Sequence, residues 1–399
     1  MNLAALKSPS YRRYFMGSMA AVNGLWMLRV VVTWLSWDIS GSASFVGLIA
    51  ALTLVPTIFS GPFFGVLMDR TNILRAAYGT TIAMMIAAVA IMIAVYTDNI
   101  SKPFLIALGT YIGVIVSAHH PMRLSLGPRL VERHQIGSVS ALASLNFNLA
   151  RVISPFIAGI VIETQGVMAA LILTLIFYSP NLIILGTLRP RQIAKTGEHK
   201  PMFAAMGEGI SYIWQHKYLR LILITTALFS FSVRSIFEIL PVIADGSFAK
   251  GAVGFGQLGA AVGAGSLSAA FIKTMGSSGR IPALSSKNLL LVSVGIVAMV
   301  IMSNATLWPA ALISAVVMGF ANTHIGISFQ AEVQTDLPDD IRGRVMSLWG
   351  VVSLGAIAVG SFSIGWMADV IGLRETAILL GIASMIAIFS IALRARKLR

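Results

Sequence analysis

Three arginines, Arg29, Arg151 and Arg234, interrupt stretches that are otherwise almost wholly apolar. In "GLWMLRVVVTWL", residues 24–35, Arg29 is the one charged residue. A guanidinium is permanently charged and presents a rigid fork of donors, which suits a carboxylate or a phosphate. One acidic residue lies comparably deep: Glu238, four after Arg234 and therefore on the same face of a helix. If all three arginines face one cavity, the balance there is positive and an anionic group on a ligand would be stabilised. Arg29 has no acid close to it on its own segment and reads as a substrate or gating residue. Arg151 and Arg234 each carry an equally weighted structural reading. Arg151 would bond carbonyls beside "SPFIAG", and Arg234 would simply pair with Glu238.

Other side chains join these as candidates. Glu238 is the best proton-coupling residue, because burial favours its neutral form while the neighbouring arginine favours its charged form. His324 would bind substrate or relay a proton, though a packing histidine is the commoner case. Asn148 would hydrogen-bond a ligand or a helix, and Trp26 would offer an aromatic face. His119 and His120 are adjacent, point to different faces and sit where Pro121 is expected to end a helix, so metal binding is not expected. No cysteine is present, which excludes disulfides and thiolate metal sites. No Walker A, H-E-x-x-H or G-x-S-x-G motif occurs, so neither direct ATP use nor hydrolysis is indicated.

The elements that must position these residues follow from composition. The 399 residues are 57% hydrophobic and only 11% charged, where a soluble domain would carry about 25% charged residues. Twelve apolar segments recur, at 14–39, 44–68, 76–96, 103–122, 137–163, 166–187, 219–243, 253–274, 287–303, 306–331, 345–369 and 373–393. Each is long enough to cross about 30 Å of hydrocarbon as a helix. The chain therefore reads as an all-α polytopic membrane protein.

Charge sets its orientation. Of the 29 Lys and Arg, only Lys102, Lys250 and Arg374 fall in one set of loops, and Arg29, Arg151 and Arg234 fall inside segments. All the others lie at the termini, in the opposite loops or at the segment ends that border those loops. Basic residues accumulate on the cytoplasmic side, so both termini are expected there. The same spread accounts for the net charge of +14 without nucleic acid, which would call for one basic patch. On this orientation Arg29, Arg151 and Arg234 reach a similar depth near the midplane, where a charge is costly and marks a functional site by default.

An internal repeat divides the chain. A shift of 206 places Gly137 on Gly343, Gly159 on Gly365, Glu163 on Asp369 and Gly166 on Gly372. A shift of 205 places Arg29 on Arg234. The expected organisation is a six-helix half over 1–187, a polar cytoplasmic linker over 188–218 ending in an amphipathic helix, and a second six-helix half over 219–399. Parallel six-helix repeats are a transporter architecture with a midplane site.

The segment "GPFFGVLMDRTNILR" resembles the loop signature of the major facilitator superfamily. Gly65, Asp69, Arg70 and Arg75 match it, while Asn72, Ile73 and Leu74 depart from it. "ARVISPFIAG" resembles that superfamily's exporter packing motif, with Ser154 in place of a glycine. "PDDIRGRVMSLWG" is similar to a stretch of the enterobactin-exporter and multidrug-efflux branch. The resemblance implies twelve helices in two pseudo-symmetric halves, alternating access, and a cytoplasmic gating latch at Gly65, Asp69, Arg70 and Arg75.

The expectation is a secondary transporter of the inner membrane, exporting a small siderophore-like, metabolite or drug molecule with an anionic group, driven by protons. An importer or exchanger of an anionic metabolite or lysolipid is the alternative, and a membrane-embedded sensor or enzyme is the alternative of another class. Expected partners are the small molecule, protons and membrane lipid, with no cofactor, metal or nucleic acid and a monomeric state.

Overall fold

The computed structural model describes residues 4–191, 202–275 and 282–396, without the side chains of 60–63, 65–70, 202–206, 274, 336, 339 and 340. Among the described residues every regular element is helical.

Local chemistry sets the helix ends. Helix α1, Pro9–Ser40, starts at Ser8, whose side chain accepts from the Tyr11 amide, with Pro9 in the first turn where no amide is needed. It stops at Gly41 in the left-handed conformation, φ 58°. Helix α2 spans Ala43–Arg70, and α3 spans Ile73–Tyr96 behind an Asn72 cap. Helix α4, Lys102–Leu126, is capped by Ser101 and carries Pro121 inside it. The expectation that Pro121 ends this helix is corrected, since one lost amide bond does not outweigh the surrounding packing.

The fifth and sixth expected segments form one assigned helix, α5, Ile136–Leu185, broken at Gly166 with φ 81° and ψ 169°. Its repeat partner Gly372 ends α11 with φ 94° and ψ 149°. Both conformations belong to glycine, so the repeat read from sequence reappears in the backbone. The linker helix α6 spans Met202–Gln215. Helix α7, Lys217–Phe229, continues through a wide π turn at Ser230–Arg234, a tight turn at Phe237–Ile239 and a second wide turn at Val242–Ser247. Then come α8, Gly251–Met275; α9, Ser286–Asn304; α10, Trp308–Asp336; α11, Asp339–Ile371; and α12, Leu373–Arg396. Among the described residues ten helical stretches are long and apolar enough to cross a membrane; α6 is not one of them, and α2 contributes a shorter apolar stretch, Ala43–Phe59.

The chain forms two compact units. The first comprises Met1–Gly41, Val55–Gly197 and Ala249–Ala260. In it α1 packs along α5, and α3 packs on α4 and α5. Near the chain start, Tyr11, Tyr14, Met122, Leu126, Val139 and Leu185 make a buried cluster. The second unit comprises Ser42–Leu54, Glu198–Phe248 and Ala261–Arg399. Here α9 packs on α10 and α12, while α11 carries α6 and α7. Helices α8 and α10 meet backbone to backbone, because a Cβ on Gly265 would collide with the Val316 carbonyl and one on Gly319 with that of Val262.

Candidate functional site

In the second unit the sequence of α7 widens where Arg234 sits. Ser235 donates to the Ser230 carbonyl at 3.0 Å and to the Ile357 carbonyl of α11 at 3.1 Å. These bonds hold the wide turn against its neighbour; such bulges recur at functional sites because they re-aim a side chain. Arg234 Nη1 donates to Ser353 Oγ at 2.5 Å and to Ser230 Oγ at 3.3 Å. Glu238 is electrostatically coupled to the same guanidinium. Two buried hydroxyls therefore hold the arginine in place, with Glu238 as its nearby countercharge.

Arg234 lines a cavity of about 330 Å³ between α7, α10 and α11. Asn322, Thr323, Gln330, Trp349 and Ser353 share the lining, with Phe229 and Phe329 on the apolar side. The volume falls in the range of small-molecule pockets, roughly 300–1,000 Å³, and one fixed charge among amides and aromatics is the usual composition of such a site. His324 lies on the same helix as Asn322, its ring stacked on Phe320 at 5.8 Å. Its Nδ1 is buried without a hydrogen-bond partner among the described residues.

In the first unit Arg29 lies over the Trp26 ring, 5.4 Å from its centroid. Trp26 meets Phe147 of α5 edge-on at 5.5 Å, and Arg123 of α4 covers Phe147 at 5.2 Å. Two guanidiniums thus bracket an aromatic pair, each attracted by a ring face. The Trp26 indole N–H is buried without a hydrogen-bond partner among the described residues. Nearby, Ser154 donates to Asn23 at 2.7 Å, tying the "SPFIAG" stretch of α5 to α1. Asn148 gives its amide to the Ser144 carbonyl on its own helix at 2.8 Å, and Arg151 is half-buried on α5.

Sequence reasoning had singled out Arg29, Trp26 and Arg234, but not Ser230, Ser353, Trp349, Gln330, Phe147 or Arg123 as their neighbours. Only Trp349, inside the "MSLWG" stretch, carried any signal. Of the gating-loop residues, Arg75 is exposed in the first turn of α3, while the side chains of Gly65, Asp69 and Arg70 lie outside the described residues.

The whole chain, residues 1–399, matches the family described as transmembrane secretion effectors. The chain belongs to this family of the major facilitator superfamily. The chain is 22% identical over 387 residues to the staphyloferrin A transporter of Staphylococcus aureus, covering 93% of each chain. It is 21% identical to the multidrug efflux pump Tap of Mycobacterium tuberculosis, over 93% of this chain and 89% of that one. Against the enterobactin exporter EntS of Shigella boydii the identity is 24%, over 92% and 87%. Among solved structures, a bacterial homologue of the human lysosomal transporter Spinster superposes with a TM-score of 0.76 over 97% of each chain at 15% identity. The nucleoside transporter NupG gives 0.69 over 96% of this chain and 98% of its own, at 13% identity. The chain is thus a multi-span secondary transporter with the major facilitator fold.

Proposed function

We propose that this transporter exports a small organic anion across the inner membrane, coupled to protons, with both termini in the cytoplasm. One observation carries the reading. Arg234 stands in the unit-two cavity with its guanidinium fixed by Ser353 and Ser230. A preorganised guanidinium beside amides recognises a carboxylate or phosphate with little ordering cost. The bracketed aromatic pair in unit one, with Arg29 and Arg123, adds a second cationic element. Relatives named as siderophore and drug transporters support export of a metabolite or drug-like molecule. Glu238 is the proposed proton carrier, since protonation there would loosen its hold on Arg234.

The test is ligand-induced thermal stabilisation of the purified protein with an aryl carboxylate, its neutral amide and its cationic amine. A ligand that binds only the folded state raises apparent stability by mass action. The expected outcome is stabilisation by the carboxylate that Arg234→Ala abolishes and Arg29→Ala weakens. The aromatic lining from Phe229, Phe329 and Trp349 favours a second reading, a multidrug exporter. Equal stabilisation by the amide or amine, unchanged in both variants, would establish that reading and make the arginines structural.

A further inference from the structure

Glu163 and Asp369, repeat partners near helix ends, have no part in the site above. In unit two Asp369 of α11 sits on the start of α2. Its Oδ1 accepts from the Ala43 amide at 2.8 Å, and its Oδ2 from the Ser44 amide at 2.9 Å, Ser42 Oγ at 2.7 Å and Ser44 Oγ at 2.5 Å. The next amide, Phe45, goes to Ser42 Oγ at 3.2 Å. The first amides of a helix lack intrahelical acceptors and carry partial positive charge, so a carboxylate is favoured there.

Unit one repeats the arrangement. Glu163 of α5 accepts from the Ala252 amide at the start of α8 at 3.0 Å. It packs so closely that a Cβ on Gly251 would lie 2.5 Å from its Oε2. Beneath each carboxylate the helices meet through glycine. Gly365 faces the Ala43 carbonyl and Gly47 that of Ser361; Gly159 faces the Ala252 carbonyl and Gly256 that of Pro155. Ala43 and Ala252 are separated by the same 209 residues as Gly47 and Gly256. One device therefore occurs twice, joining a helix of one sequence half to a helix of the other.

We propose that Asp369 and Glu163 are paired latches that hold the outer ends of α2 and α8 against α11 and α5, and that both release when the transporter opens outward. Moving α2 off α11 would take the Ala43 and Ser44 amides away from their acceptor. Water at a helix end replaces that acceptor at modest cost, which makes the bond reversible. The glycine surfaces beneath supply shape without charge and can part and re-form. Asp369 gathers two hydroxyls as well as two amides and is the stronger latch. The proposal rests on the chain being a transporter with its termini in the cytoplasm, but not on what it carries.

The absence of cysteine makes any introduced thiol unique. Ala50→Cys on α2 reports from a buried position, 6% exposed. Gly326→Cys on α10 reports from an exposed position in the unit-two cavity where a Cβ meets nothing within 4 Å. Each would be combined with Asp369→Asn and reacted with a membrane-impermeant maleimide in sided vesicles, with no substrate present. From outside, labelling at Ala50→Cys is expected to rise about tenfold, equivalent to about 1.4 kcal/mol. From the cytoplasmic face, labelling at Gly326→Cys is expected to fall. Glu163→Gln should shift both rates the same way by less, and the two substitutions together by more than either. The Ser42→Ala/Ser44→Ala pair keeps the carboxylate and should give an intermediate shift. A rise at both reporters would signify a loosened fold, and no change at either would mean that the carboxylates merely cap helices; each overturns the proposal. Flux is not read, so an error in the substrate class leaves these rates unaffected.

Discussion

At the scale of single residues, Arg234 is held by a hydroxyl from its own helix, Ser230, and by one from α11, Ser353. An arginine in an apolar segment announces itself because so few charges occur there. Nothing in the sequence says that the hydroxyl fixing Arg234 comes from Ser353, more than a hundred positions later, since serine is common and its role depends on which helices meet. The equally weighted reading of Arg234 as a simple partner of Glu238 missed the two serines that hold it. Two predictions belong at this scale. Ser353→Ala should weaken binding of an aryl carboxylate by about tenfold, as loss of one charge-assisted hydrogen bond would, while Arg234→Ala should weaken it by more; titration calorimetry reads both. Glu238→Gln should leave that binding nearly intact yet abolish the response of transport to an imposed pH gradient in proteoliposomes. Unchanged coupling would move the proton site elsewhere.

At the scale of elements, the apolar segments were found because length and hydropathy suffice to mark a membrane-crossing helix. Interruptions within them were harder to see. Pro121 reads as a terminator but lies inside α4, and nothing in the composition of α7 marks its wide turns. The repeat did foresee that Gly166 and Gly372 occupy matching places. Close helix contacts were not legible, because which glycine faces a backbone depends on how the helices cross. Gly265→Ala should therefore destabilise the protein by about 1–3 kcal/mol through overpacking against Val316. Gly79→Ala in α3, where a Cβ meets nothing, should be neutral or stabilising by up to about 1 kcal/mol. Thermal melts of the two variants in nanodiscs check the pair, and similar losses in both would remove the distinction.

Across the whole molecule, the fold class followed from composition, and the family from a loop signature that survives in degraded form. Substrate identity was not legible, because a cavity is assembled from helices distant in sequence and its lining is a minority of each. Orientation is the prediction proper to this scale. The loops holding Lys102 and Lys250 should lie outside and the polar linker inside. Thiols introduced at Asn99 and at Gln192 should accordingly react with an impermeant maleimide only from opposite faces of the membrane; labelling of both from one face would overturn the topology.

Gly166 has a further consequence for anyone who engineers this transporter. A surface map marks it as an ideal place for a dye, a tag or a spliced loop, since a Cβ there meets nothing within 4 Å. Its φ of 81° forbids that use, because a side chain would strain the backbone by about 1–3 kcal/mol in otherwise empty surroundings. In a library varying every position, this would be a column of weakened variants with no neighbouring atom to account for the loss.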